Sequence, residues 1–189
     1  MTALGIELSK LKRKRLWLTV LLVLGLEVLW IVAMTTISLG REIQAPREMG
    51  YIIGQTSQVH AIFAPILVTV VASRLAAIEH DGEMMPVLFA ANQSRGSLFR
   101  TKYLVTLAVA VFASIVIVAL VGAIGSLHGF PSDPSLLGTW LCGLVLASIP
   151  VTGIQLALAL LFARQAVTLT VGIIGGLVGS FATLSLIHI

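Results

Sequence analysis

The sequence predicts an all-α fold, a polytopic bundle of transmembrane helices forming a single domain over residues 1–189. The chain is 58% hydrophobic and 11% charged, with a mean hydropathy of +1.05. Long apolar runs recur along it, and a hydrocarbon core about 30 Å thick needs about 20 helical apolar residues to be crossed. Membrane-spanning strands would show short alternating segments instead of continuous apolar runs. A soluble globular core is therefore excluded.

Five apolar runs predict five spans, at about residues 16–39, 59–78, 103–127, 136–162 and 167–187. The first run continues past Glu27 to about Leu39, so it is predicted to be a retained span and not a cleaved signal peptide. Residues 1–15 place leucines at helical spacing beside a basic cluster, which favours an amphipathic helix lying on an anionic membrane surface. A disordered basic tail is the alternative.

The distribution of basic residues predicts a cytoplasmic N-terminus, because Lys and Arg are enriched in short cytoplasmic loops. Two basic residues, Arg41 and Arg47, fall in the loop after the first span. The other ten lie on the opposite side, namely Lys10, Lys12, Arg13, Lys14, Arg15, Arg74, Arg95, Arg100, Lys102 and Arg164. The loop between the second and third spans is thus predicted to be cytoplasmic.

That loop, residues 79–102, is longer than a turn between two helices requires. A polar "EHDGE" is followed by a short apolar stretch, "MMPVLFAA", in which Pro86 is tolerable in a first helical turn. "NQSRG" is predicted to be a turn, and Ser97 to cap the next helix. The apolar side chains of the stretch should pack on the helix ends, on the lipid interface or on a partner.

The segments "ELSKLKRKRLWL" and "IEHDGEMMPVLFAANQSRGSLFRTKY", with the hydropathy pattern, resemble permease subunits of bacterial ATP-binding-cassette exporters of the second type. Lantibiotic-immunity and multidrug-like permeases are the most similar. Glu79, Arg95 and Lys102 match family positions in the loop, whereas Met84 and Met85 stand where the family often has Trp-Lys. The resemblance implies a coupling helix that seats in a separate ATPase subunit. Its contacts would come from Glu79, Asp81, Glu83, Met84, Met85, Val87, Leu88, Phe89, Arg95 and Lys102.

The resemblance also implies a transport subunit and not an enzyme, located in the bacterial cytoplasmic membrane beside lipid and a second permease chain of the same or a different sequence. The chain itself contains no G-x-x-x-x-G-K-[ST] phosphate-binding motif, so no cofactor is expected on it. ATP and Mg²⁺ would be bound by the partner ATPase. The cargo implied is an amphipathic or lipophilic compound, such as an antimicrobial peptide, a drug or a lipid.

Two polar residues within the spans are candidates for a translocation path. Glu27 lies near the middle of the first span, where an ionised carboxylate costs about 2.5–3.5 kcal/mol, so it should face the bundle interior or be protonated. His60 and Gln155 are its candidate partners. Gln155 follows Pro150 and Gly153, and its alternative role is a packing contact on a bent helix.

Other residues in the spans favour structural roles. Glycines 172, 175, 176 and 179 give two interleaved G-x-x-x-G spacings, for packing within the chain or for a dimer interface. His60 and His128 are expected near the outer face as single polar residues, and no metal site is assigned. Cys142 is expected to be a small buried packing residue.

Exporters of the family that this sequence resembles usually have six spans. The resemblance therefore predicts that this sequence is a C-terminally truncated fragment. Its last six residues, "LSLIHI", match the in-frame translation of a transposase end used in sequencing libraries, so residues 184–189 are a candidate artefact; a natural apolar terminus is the alternative.

Two other function classes have less support in the sequence. An intramembrane enzyme such as a protease lacks support because no H-E-x-x-H motif is present. A self-contained channel or secondary carrier would call for polar residues along several spans or for inverted repeats.

Overall fold

The computed structural model describes residues 16–40, 48–80, 95–131, 133–162 and 165–187. Over these ranges the chain forms five α-helices and no strand, which confirms the all-α prediction. The helices are α1 (Leu16–Gly40), α2 (Met49–His80), α3 (Arg95–Leu127), α4 (Pro134–Leu161) and α5 (Gln165–Ile187). The N-terminal segment 1–15 and the loop 81–94 lie outside the described residues.

Four of these helices, α1 to α4, have the length and the apolar composition needed to cross a membrane. In α5 the apolar segment within the described part of the chain is shorter, at Ala166–Gly179. The polytopic helical bundle predicted from hydropathy is therefore confirmed.

Two helices begin eight or more residues earlier than the predicted spans. α2 begins at Met49, ten residues before the apolar run that starts at residue 59, and α3 begins at Arg95, eight residues before residue 103. The polar residues of the first turns of α2 interrupted the apolar run, but two of them bond within the helix. The Gln55 side-chain amide donates to the Tyr51 hydroxyl at 2.7 Å, and the Ser57 hydroxyl donates to the Ile53 carbonyl at 2.7 Å.

Ser97 does not cap α3, contrary to the prediction. It is the third residue of the helix, because helical structure already includes Arg95 and Gly96. Glycine lowers helix propensity by about 1 kcal/mol relative to alanine, so the Arg-Gly pair resembles a turn in sequence even though it continues a helix here.

The helix α2 is the centre of the bundle, because each of the other four helices packs against it. Its middle and C-terminal turns contain residues with almost no solvent exposure, among them Leu67, Val71, Ala72 and Leu75. A transmembrane helix that is apolar on all sides can pack on several neighbours at once. The position of every other helix is thus defined relative to α2.

The helix α5 crosses α2 at two of the four glycines noted in the sequence. A side chain at Gly176 would lie 3.1 Å from the Ala61 carbonyl oxygen and 3.2 Å from that of Ile62. Pro65 lies inside α2 and has no N–H to donate to Ala61, four residues earlier. Gly176 therefore brings the backbone of α5 onto a carbonyl released by Pro65, where a Cα–H···O contact is favourable.

The two interleaved glycine spacings have different environments. Gly172 and Gly176 are buried against α2, which confirms the prediction of packing within the chain. Gly175 and Gly179 are exposed, and a side chain at either position would meet no atom within 4 Å. One spacing thus serves helix packing and the other faces open space.

The connection between α3 and α4 is defined by a C-terminal cap on α3 and an N-terminal cap on α4. Phe130 N–H donates to the Gly125 carbonyl at 2.9 Å, and Gly129 N–H donates to the Ser126 carbonyl at 3.2 Å. This Schellman motif requires a left-handed residue, supplied by Gly129 at φ +71°.

At the start of α4 the Asp133 carboxylate accepts bonds from the Ser135 hydroxyl and from the N–H groups of Ser135 and Leu136. The Ser135 hydroxyl and then the Leu136 N–H hold the pKa of Asp133 below its ordinary value. Stability from this cap is present above the ordinary pKa and is lost as the pH falls through the lowered one.

Cys142 is exposed on α4, contrary to the expectation that it would be buried. Much of the apolar surface of α4 faces outward, because this helix packs on its neighbours along a narrow stripe that includes Thr152, Gln155, Leu156 and Ala159. In a membrane an apolar position is as well suited to lipid as to the protein interior, so hydropathy did not distinguish the two.

We predict that Gly176→Leu destabilises the bundle by about 1–3 kcal/mol, because the new side chain would overlap backbone atoms of α2 that cannot rotate away. Gly175→Leu is the matched control, since it makes the same change at an adjacent position that has open space around it. Thermal unfolding in detergent measures both. Equal melting temperatures for the two variants would contradict the close crossing at Gly176.

Candidate functional site

A buried contact between a carboxyl group and an imidazole joins α1 to α2 near the middle of α1. The Oε1 atom of Glu27 lies 2.6 Å from Nδ1 of His60, and the carboxylate has no exposed surface. Glu27 lies on the buried face of α1, three turns from its start, and His60 lies on α2 in the same layer. The sequence left His60 and Gln155 open as partners of Glu27, and the structure selects His60.

One proton lies between Oε1 of Glu27 and Nδ1 of His60, and either residue can carry it. If the proton is on Nδ1, a carboxylate accepts it; if it is on Glu27, the imidazole nitrogen accepts it. The second carboxyl oxygen, Oε2, is buried and has no hydrogen-bond partner among the residues that the structure describes. A buried carboxyl group with one oxygen unsatisfied is costly, so its single contact to His60 is important for keeping Glu27 inside the bundle.

His60 was expected near the outer face as a single polar residue, and this expectation was wrong. Because α2 begins at Met49, His60 lies about 16 Å along the helix from its first residue and is 6% exposed. The sequence did not predict how deep in the helix His60 lies, because four polar residues just before it made the apolar run appear to start at residue 59.

A cavity of about 390 Å³ lies among α2, α3, α4 and α5, and His60 forms part of its wall. It lies near the middle of the helices, with α2 contributing from Ser57 to Val68 and α4 from Leu144 to Val151. Ala147, Gly175 and Gly179 line it and are exposed, so the cavity opens to the surroundings of the bundle between α4 and α5. No sequence signal identified it in advance.

Gln155 is a buried polar residue away from the Glu27–His60 pair, near Thr69 of α2 and Gly172 of α5. A side chain at Gly172 would lie 3.4 Å from its amide nitrogen and 3.2 Å from Thr69 Cβ. Its amide oxygen is buried and has no hydrogen-bond partner within the described part of the chain. Gln155 does not line the cavity, and its surroundings are those of a packing contact.

Lys102 joins the end of α2 to the start of α3. Its ammonium group donates to the Leu75 carbonyl oxygen at 2.7 Å, and the side chain is 1% exposed. Leu75 lies in the last two turns of α2, and a hydrogen bond from an ammonium group to its carbonyl is stronger than one between neutral groups. The contact fixes the relative position of the two helix ends between which residues 81–94 run.

The remaining predicted coupling residues are not described as side chains. The backbone of Glu79 lies in the last turn of α2 and that of Arg95 at the first residue of α3. The other seven, Asp81, Glu83, Met84, Met85, Val87, Leu88 and Phe89, lie outside the described residues. Among the residues that are described, no three His, Cys, Asp or Glu side chains come together as a metal site would require.

Comparison with known protein families identifies the class of the protein. A family model described as ABC-2 family transporter protein matches residues 3–179, which is nearly the whole chain. The chain belongs to this family. It is therefore a permease component of an ATP-binding-cassette transporter, a multi-pass membrane protein for which the bacterial plasma membrane is the expected location, and it is not itself catalytic. No curated protein and no solved structure matched the permease.

We predict that His60→Leu destabilises the permease by about 1–3 kcal/mol, because it leaves the buried carboxyl group of Glu27 without its hydrogen-bond partner. Combining it with Glu27→Leu should restore most of that loss, since two leucines remove both polar groups. The measurement is thermal unfolding of wild type, both single variants and the double variant in detergent. If the two single losses simply add in the double variant, the contact does not exist.

Proposed function

We propose that the permease is the membrane subunit of an exporter for amphipathic or lipophilic compounds, driven by ATP that a separate ATPase subunit hydrolyses. ATP and Mg²⁺ would be bound by that subunit, and a second permease chain, of the same or a different sequence, would complete the transporter. Within the family we propose a resemblance to lantibiotic-immunity and multidrug-like permeases, on the sequence of the loop and its flanks. Membership of the ABC-2 family supports the proposal at its coarsest level.

The single observation that best supports an ATPase-driven mechanism is the Lys102 contact. The loop 81–94 leaves α2 and enters α3, and Lys102 ties these two helix ends together at Leu75. A force applied to the loop by a partner would therefore reach both helices. Because all other helices pack on α2, a displacement of its end would change packing across the bundle.

The proposed docking surface comprises the loop 81–94 with the flanking Glu79 and Arg95. In sequence, the acidic residues Glu79, Asp81 and Glu83 precede the apolar segment 84–89 and Arg95 follows it, and an apolar segment flanked by charged residues is a composition that suits a protein interface. Alternating access would follow from different stabilities of the bundle arrangements when the ATPase is bound to ATP and when it is not.

We predict that the ATPase encoded beside the permease co-purifies with it, and that binding is lost in Glu79→Arg and in Leu88→Asp combined with Phe89→Asp. The first variant reverses the charge of the flanking residue Glu79, and the second introduces two charges into the apolar segment. Affinity purification of the permease followed by quantification of the ATPase is the measurement.

Leu127→Asp is the matched control, because it places an acidic residue at a position that is 84% exposed and lies at the opposite end of α3. It should bind the ATPase as wild type does. Each variant must retain the wild-type melting temperature to be scored. Equal ATPase recovery with the loop variants and with wild type would refute the docking surface.

A further inference from the structure

The cavity exists because four helices present small side chains to the same space. Ten of its sixteen lining residues are Gly, Ala or Ser, so the helices are held apart by their contacts elsewhere and no side chain fills the centre. These ten are Ser57, Ala61, Ala64, Ala110, Ala113, Ser114, Ala147, Ser148, Gly175 and Gly179. A volume of about 390 Å³ lies within the range of sites that bind small organic molecules, about 300–1,000 Å³.

The hydroxyl groups in the wall have their protons directed away from the cavity. Ser57 donates to the Ile53 carbonyl at 2.7 Å, Ser114 to the Ala110 carbonyl at 3.0 Å and Ser148 to the Val145 carbonyl at 2.7 Å. Each is a bond within its own helix. The rest of the lining, apart from His60, is apolar, so the wall favours hydrocarbon over water.

His60 is the polar residue of this wall that a ligand can use. Its Nδ1 is bound to Glu27, which orients the ring, so Nε2 is the ring nitrogen that this contact does not use, and His60 is part of the cavity wall. Nε2 is a donor when it carries a ring proton, and it is an acceptor in the neutral tautomer whose proton is on Nδ1. A hydroxyl group can accept from it or donate to it and therefore matches both states, whereas a charged group would be unfavourable at this depth.

We infer that the cavity binds an uncharged amphiphile, a hydrocarbon chain with a hydroxyl group that pairs with His60. The chain lies against the alanine and glycine wall formed by α2 to α5, and the hydroxyl lies at the Glu27–His60 pair. Entry is from the side, between α4 and α5, where the lining residues are exposed. The inference deepens the proposed function and rests on it for the identification of this ligand with a transported compound.

Trp140 reports occupancy of the cavity, because its indole N–H donates to the hydroxyl of Ser57, a lining residue, at 3.0 Å. The chain has three tryptophans, and Trp17 and Trp30 are exposed on α1. The double variant Trp17→Phe with Trp30→Phe therefore retains Trp140 as its one tryptophan.

The full chain of this variant in nanodiscs is titrated with a long-chain alcohol brominated beside its hydroxyl group, and separately with a terminal bromoalkane of the same length.

Saturable quenching of Trp140 by both probes is expected, with the alcohol effective at concentrations about two- to tenfold lower, the range of one net hydrogen bond. Gly175→Leu should abolish saturable quenching by filling the cavity, and Gly143→Leu, an exposed position of α4 outside the lining, should not. The double variant Glu27→Leu with His60→Leu should bind both probes equally.

Non-saturable quenching, or unchanged quenching in Gly175→Leu, would overturn the binding site. A preference for the alcohol that persists in the double variant would overturn the role of His60. These results are obtained with the permease alone, so they are distinct from failure to bind an ATPase, which would overturn the proposed function and leave the cavity in place.

A second experiment distinguishes the two sources of such an amphiphile, a transported compound and a resident lipid. The permease is reconstituted with the ATPase, loaded with the brominated alcohol and given ATP. Recovery of Trp140 fluorescence during ATP hydrolysis assigns the site to a transported compound, and persistent quenching assigns it to a resident lipid. Both results support binding of the amphiphile, and only the first supports its transport.

Discussion

Every other helix of the permease packs against α2, so the geometry of this one helix constrains the positions of the rest. Hydrophobic burial does not drive helices together inside a bilayer, because lipid chains are as apolar as leucine; close packing and polar contacts do so instead. α2 provides both. Pro65 releases the Ala61 carbonyl, Gly176 allows α5 to approach it, and neither feature would suffice without the other.

The polar contacts of the interior are also made to α2. His60 pairs with Glu27 of α1, and the Leu75 carbonyl accepts from Lys102 of α3. These two contacts occur at different levels along the helix and involve two different partner helices. In a medium without water each of them penalises any arrangement in which it is broken, so together they select one packing of otherwise similar apolar helices.

The fold class was predictable from the sequence, because the length of an apolar run follows directly from the thickness of the bilayer. Helix ends were not, because Gln55 and Ser57 are polar in sequence but satisfied by bonds within α2. Glu27 could be recognised as a buried residue in need of a partner, yet the choice between His60 and Gln155 depends on which helices are neighbours. The cavity was not predictable at all, since its ten small residues come from four helices and only their three-dimensional arrangement leaves a void.

The same helix connects the base of the proposed coupling loop with the cavity. Leu75, which accepts from Lys102, lies fifteen residues from His60, a distance of about 22 Å along α2. Pro65 lies between them, at the point where one backbone hydrogen bond is missing and a helix bends most easily. A force applied at the loop would therefore move the C-terminal turns of α2 as one body with the start of α3, while the Glu27–His60 pair holds the N-terminal turns to α1. The cavity wall spans both sides of Pro65, from Ser57 to Val68, so bending at this residue would change the shape of the space in which the amphiphile is held.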